Sequence, residues 1–271
     1  MNAIQVYYAV NIYANVTQHS RFYFSEVNKA VNDAIKDKLD DIIDGPNAQG
    51  MNGIDRIQKF RDDLYTMIKT STSAPTTTTV INGIITENHF NFPVDYQTYM
   101  SMTATIDGNT TYLRETNYNM VGPLLECSFR KPNNSKPYFL EDNTGLKLYR
   151  GIGGTFSSAT LTYIKQPTPF NMGNESDLIQ GGTGANVLTT GVSYTVVDES
   201  VYNGTTYIAG AVFTAGAVLV LASGQVILSS LLTTIELPEK CHDDVSKMAA
   251  AILLGVTSAF DNSAFAEKAS T

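Results

Sequence analysis

The stretch FSEVNKAVNDAIKDKLDDIIDG, residues 24–45, admits one reading. Val27, Val31, Ile35 and Leu39 recur at every fourth position, which stacks them on one side of an α-helix and leaves the polar residues on the other. Ser25 stands where an N-cap is wanted, with Glu26 behind it, and Gly45-Pro46 stops the run. Residues 3–17 carry Ile4, Tyr7, Tyr8, Val10, Ile12 and Val16 and read as a helix, with a strand as the alternative that the Tyr and Val content leaves open. Residues 54–69, with Ile54, Ile57, Phe60, Leu64 and Ile68 at helical spacing, predict a third helix.

A fourth helix is predicted over 238–260, where Leu237, Cys241, Val245, Met248 and Ile252 keep the same spacing. Pro238 suits its first turn, and Glu239, Asp243 and Asp244 put negative charge at the positive end of the helix dipole. The run Cys241-His242-Asp243-Asp244 has the residue types of a metal or nucleophile site. Adjacent helical residues point about 100° apart, however, so the run cannot close on one ion. Cys241 is therefore expected in the core.

From TSTSAPTTTTV onward the chain changes character. Thr-rich, β-branched and aromatic segments such as TTTVINGIIT, TYMSMTATID, TTYLRETNY, LKLYRGIG and ATLTYIKQ alternate with Asn, Gly and Pro turns, which predicts strands. Asp107-Gly108-Asn109 is expected to turn a hairpin, and Asn143 to Gly145 a second. Residues 171–234, almost free of Lys and Arg, look inserted. They are expected to form a small β module that folds largely by itself around an Asn203-Gly204 hairpin turn, entered through a linker at 171–187 and left through Thr233-Thr234. The predicted fold class is α+β: N-terminal helices and a C-terminal helix packed with a β-rich body over 1–170 and 235–271, plus the inserted module at 171–234.

Several function classes are disfavoured by composition. A net charge of −8 opposes a protein whose main task is gripping phosphates, and the one dense basic stretch, Arg130, Lys131 and Lys136 in SFRKPNNSKP, reads as a solvated loop. Cys127 and Cys241 are too few for a disulfide framework, and MNAIQVYYAVNIYANV is unlike a secretory signal, so synthesis in a reducing cytoplasm is expected. The sequons at Asn15, Asn109, Asn133, Asn174 and Asn203 are then coincidental. Gly210, Thr214, Gly216 and Ser223 interrupt the longest apolar stretch, 209–224, so no membrane span is expected.

Chemistry is not announced either. His19, His89 and His242 fall in no metal or nucleophile pattern, and RGIGGTF and QGGTGAN lack the lysine of a phosphate loop and read as turns. The pairs Asp40-Asp41, Asp62-Asp63 and Asp243-Asp244 lie on predicted helix surfaces, where solvation accounts for them. No catalytic, cofactor-binding or metal-ligating residue is predicted, and the expectation is a non-enzyme.

The order of elements resembles the head-to-tail connector proteins of tailed bacteriophages, also called ring, adaptor or tail tube proteins. The residues that carry the resemblance are the helix RFYFSEVNKAVNDAIKDKL, the strand LTYIKQPTP with its Tyr-x-Lys-x-Pro close, and LPEKCHDDVSKMAAAILL. It covers 1–170 and 235–262 and is nearest to a ring protein of crAss-like or related short-tailed phages. The resemblance implies a non-catalytic virion subunit, made in the host bacterial cytoplasm, that forms a dodecameric ring at the portal vertex. Its implied partners are copies of itself, the portal protein and adjacent ring or tail proteins, with genomic DNA a non-specific passenger in the channel. The insert resembles small β modules of phage structural proteins, and Tyr202, Tyr207 and Phe213 are its candidate protein contacts, with filling of the module's own core as the competing role. The alternative function is a glycan-binding or fibre-type surface module.

Overall fold

The computed structural model describes residues 1–14, 22–44, 62–127, 129–153, 155–182, 188–216 and 221–255. It has an α+β fold, and the chain divides into two compact units, one of Met1–Thr66 with Pro167–Thr271 and one of Met67–Gln166.

Among the described residues the first unit is built on the long helices α1 (Ala3–Tyr13), α2 (Phe24–Asp44) and α4 (His242–Leu253). Helix α1 opens with a reciprocal cap in which the Asn2 side chain accepts from Gln5 N–H and the Gln5 side chain accepts from Asn2 N–H, both at 2.9 Å. The helical alternative for its residues is thus the one that forms. Ser25 does not cap α2, because the helix begins one residue earlier; the Glu26 carboxylate instead accepts from Tyr23 N–H at 2.9 Å. Val27, Val31, Ile35 and Leu39 are all buried, as their spacing demands. Helix α4 follows a turn of 3-10 helix at Glu239–Cys241 and packs against both α1 and α2.

A five-stranded sheet shares this unit. Its strands are β10 (Ile179–Gln180), β11 (Ser193–Tyr202), β12 (Thr205–Tyr207), β13 (Val212–Thr214) and β14 (Leu221–Leu228), in the order β10-β14-β11-β12 with β13 also paired to β11. Asn203 and Gly204, at φ 51° and 75°, turn β11 into β12 as expected for the two-residue turn that matches strand twist. The sheet has its own buried cluster, including Leu188, Tyr194, Val196, Leu221 and Val226. It is tied to α1 by the Tyr8 hydroxyl, which donates to Val197 O at 2.8 Å.

The described part of 171–187 is not a free linker. Asn32 on α2 accepts from Phe170 N–H at 2.8 Å and donates to Phe170 O at 2.9 Å, and Asn28, one turn earlier, accepts from Met172 N–H at 2.9 Å. Asn171 bridges to Thr233, and a 3-10 turn at Glu175–Asp177 leads into β10. The Gly and Asn content suggested flexibility, but asparagine side chains on the helix supply the backbone partners that such a segment lacks by itself.

The second unit is two antiparallel-dominated sheets packed face to face. One, in the order β1-β9-β4-β5, joins β1 (Ile68–Ser73), β4 (Tyr96–Ile106), β5 (Asn109–Tyr112) and β9 (Phe156–Lys165). The other, β2-β3-β8-β7-β6, joins β2 (Thr77–Ile81), β3 (Ile85–Asn91), β6 (Arg114–Thr116), β7 (Tyr138–Asp142) and β8 (Gly145–Gly151). Alternate residues of β4 and β9, among them Met102, Ala104, Leu161 and Tyr163, meet Phe90, Phe139 and Leu148 of the facing sheet. Asp107-Gly108 turns the β4-β5 hairpin as a two-residue loop, and Asn82-Gly83, also at positive φ, open the three-residue loop that turns β2 into β3.

The predicted third helix lies largely outside the described residues. Its described end is helical over 62–64 and 3-10 over Tyr65–Met67, but Ile68 and Lys69 belong to β1. A helix that the sequence reading missed, α3 (Tyr118–Glu126), follows β6, and its Val121 and Leu125 pack on Ile85, Leu140 and Tyr149 at the outer side of the second sheet. Among the described residues no helix is long and apolar enough to cross a membrane.

Candidate functional site

The four residues Cys241, His242, Asp243 and Asp244 diverge, as helical geometry requires. Cys241 is buried, and burial pushes its thiol pKa up although Lys38 and Lys240 act against this. A thiol held protonated in this way is a poor nucleophile. His242 is buried with Nε2 at 2.8 Å from Leu237 O and Nδ1 at 2.9 Å from the Met1 amino nitrogen, which makes Nε2 the donor to the carbonyl. Asp243 accepts from Lys247 Nζ at 2.7 Å and from the Tyr13 hydroxyl, and these donors lower its pKa. Asp244 faces Lys38 at 2.8 Å. Each carboxylate therefore pins one helix of the bundle to another or to itself.

Tyr202, Tyr207 and Phe213, the candidate protein contacts, are brought together, but in a core. Tyr202 and Phe213 are buried, Tyr207 is half-buried, and the Phe213 ring lies 4.6 Å from that of Tyr202 and 5.0 Å from that of Tyr207. Gly216 N–H donates to Tyr202 Oη at 2.6 Å. Tyr202 and Phe213 fill the sheet's own core, the competing role, while Tyr207 packs against that core from a half-buried position on β12.

The remaining candidates are scattered. His89 lies half-buried on β3 with its ring nitrogens 3.3 Å from the Thr76 and Thr144 hydroxyls, and His19 lies outside the described residues. In RGIGGTF, Arg150 donates to Gly153 O at 2.7 Å across a turn. QGGTGAN lies largely outside the described residues. Asp40 and Asp41 are exposed on α2, and Asp63 accepts from Lys240 at 2.7 Å.

The basic stretch is more than a solvated loop. Asn133 Oδ1 accepts from Ser135 N–H, at 3.0 Å, and from Lys136 N–H, at 2.8 Å, so the loop is closed on itself by an asparagine turn. Arg114 stands beside Tyr138 because β6 and β7 run parallel in register, an arrangement made possible by the α3 crossover between them. Strand, helix and loop together wall an open cleft of about 650 Å3 lined by Arg114, Arg130, Lys131 and Lys136 with one carboxylate, Glu115, and the ring of Phe129, which is 98% exposed. Among the described residues none of the four cations makes an ion pair, whereas Lys38, Lys69, Lys147, Lys240 and Lys247 each face an aspartate. The sequence showed three of the four cations but not Arg114, which lies 16 residues before Arg130 and reaches the cleft by strand pairing.

No protein-family model matches the chain, and no curated protein matches it.

Proposed function

We propose that the chain is a non-catalytic structural subunit of a tailed-phage virion, forming a dodecameric ring at the portal vertex that helps retain DNA and seats the next tail protein. The observation that carries the reading is the closure of the helical layer: α4, led in by Leu237-Pro238, packs on α1 and α2 from the far end of the chain. The β-rich segment that follows α2 closes in Tyr163-Ile164-Lys165-Gln166-Pro167, and with the sheet of 179–228 set aside as an insertion this is the same order of parts as in the connector proteins the sequence resembles. Charge supports it too, since an acidic channel wall lets duplex phosphates slide where a basic one would hold them. The glycan-platform reading loses support with the burial of Tyr202 and Phe213. Native mass spectrometry of the purified chain, alone and mixed with portal complexes, tests the proposal. Ring-sized assemblies on the portal are expected, and chains that stay free beside it refute the reading.

A further inference from the structure

Charge is divided unevenly between the two units. Residues 1–66 and 167–271 carry ten Lys and Arg against nineteen Asp and Glu, while residues 67–166 carry eight against seven. The near-neutral unit holds the cleft with four cations free of ion pairs among the described residues. The acidic unit exposes, on α2, Asp33, Asp37 and Asp40, whose spacing sets them within about 60° of one another around the helix. Asp41 stands beside this stripe, and Lys29 and Lys36 flank it. From Asp33 to Asp40 the stripe runs about 10 Å at the α-helical rise. None of these four aspartates makes an ion pair among the described residues.

We infer that the cleft walled by β6, α3 and the 129–137 loop takes the acidic face of helix α2 from a second copy of the chain. The inference rests on the ring reading and gives it a contact. Arg114, Arg130, Lys131 and Lys136 meet the aspartate stripe, and Phe129 covers aliphatic parts of the same helix. A patch on one unit that binds a different patch on another copy is a head-to-tail contact, the kind that closes rings when its rotation permits. A nucleic acid is the competing occupant of a basic cleft, but it needs a basic track along its backbone, and outside the cleft residues 67–166 carry four Lys and Arg against six Asp and Glu, whereas α2 presents its carboxylates as a short local patch.

A charge exchange on the full chain tests this. One variant carries Arg130→Glu, Lys131→Glu and Lys136→Glu, and the other Asp33→Lys, Asp37→Lys and Asp40→Lys. Analytical ultracentrifugation of the wild type is expected to show self-association that weakens at least ~10-fold between about 50 mM and 500 mM salt, as screening of exposed charges requires. Each variant alone is expected to be monomeric, because its cleft and helix now share one sign. The equimolar mixture is expected to associate again, since every contact between unlike copies becomes complementary, and a misfolded variant could not be rescued so. Wild-type chains that remain monomeric, variants that associate like the wild type, or a mixture that fails to associate overturn the inference. Duplex DNA binding lost in the cleft variant and kept in the helix variant also overturns it, in favour of nucleic acid. Rings that form on portal complexes equally well with both variants defeat the cleft assignment alone, while wild-type chains that never assemble there defeat the ring reading itself.

Discussion

Replacing Asn32 with Ala isolates the contribution of the asparagine pair on α2 to holding the acidic unit together. The side chain accepts from Phe170 N–H at 2.8 Å and donates to Phe170 O at 2.9 Å, and its second amide proton bonds Asn28 O at 2.8 Å. Phe170 is 1% exposed, so water is poorly placed to take over either bond. Two intramolecular hydrogen bonds contribute about 1 kcal/mol each, and leaving buried backbone groups unpaired adds on the order of 1 kcal/mol more. The expected loss is therefore about 3 kcal/mol, or roughly 5–10 °C in Tm for a chain of this size. Asn28→Ala should cost less, since its amide donates to Asn171 and Gly173 only at 3.3 Å. Asp33→Ala, at the exposed neighbouring position, should stay within about 0.5 kcal/mol of wild type. Urea unfolding followed by far-ultraviolet circular dichroism reads all three. If Asn32→Ala unfolds at the wild-type midpoint, the segment 170–173 is held by its buried side chains alone and the hydrogen bonds are incidental.

Three further outcomes follow from local geometry. Cys241→Ala should cost on the order of 1 kcal/mol as a small core truncation and leave assembly intact; stoichiometric zinc in the wild type, lost in the variant, would contradict its placement as a packing residue. Gly145→Ala should cost about 2–4 kcal/mol in thermal unfolding, because a Cβ there would sit 2.0 Å from Phe90 O across the β3-β8 pairing, and a near-neutral result would show the strands can part. Lys147 Nζ at 2.6 Å, with the Tyr118 hydroxyl at 2.7 Å, holds the Asp142 carboxyl at about 2. Measured against an unfolded value of about 4, this contribution to stability is complete above that pH and is lost as the pH falls through the folded value. Tyr118→Phe removes one donor and should raise the folded pKa, shifting the loss to higher pH; an unchanged carboxyl titration by carbon NMR would show that Tyr118 contributes nothing.

Hairpins were legible because their determinants are local. Asp107-Gly108 and Asn203-Gly204 need only two residues at positive φ between strands, and sequence carries that directly. The stripe of α2 was legible for the same reason, though its start was not: Ser25 has the chemistry of a cap, yet the carboxylate of Glu26 reaches back to Tyr23 and fixes the first turn from inside. Helix α3 was hidden by Gly122 and Pro123 in its middle. Asn117, which accepts from Met120 N–H at 3.0 Å, was the signal that stood against them, and Val121 and Leu125 gain their partners from β3, β7 and β8, far off in sequence.

The candidate sites divide along the same line. Alternation along β11 puts Tyr194, Val196 and, past its irregular middle, Tyr202 on one side, and pairing sets Phe213 opposite Tyr194. What alternation leaves open is whether that side meets solvent or is covered, because the covering residues, such as Leu188 before β11 and Leu221 at the start of β14, enter from elsewhere in the chain. Aromatic residues serve equally well as core and as contact surface, so composition could not separate the two roles for Tyr202, Tyr207 and Phe213. The basic cleft is the converse case. Arg130, Lys131 and Lys136 are close in sequence and looked like solvated charge, but Arg114 joins them only when β6 lies parallel to β7, and it is that fourth cation, set across from the loop, that makes a cleft with two charged walls out of a loop with one.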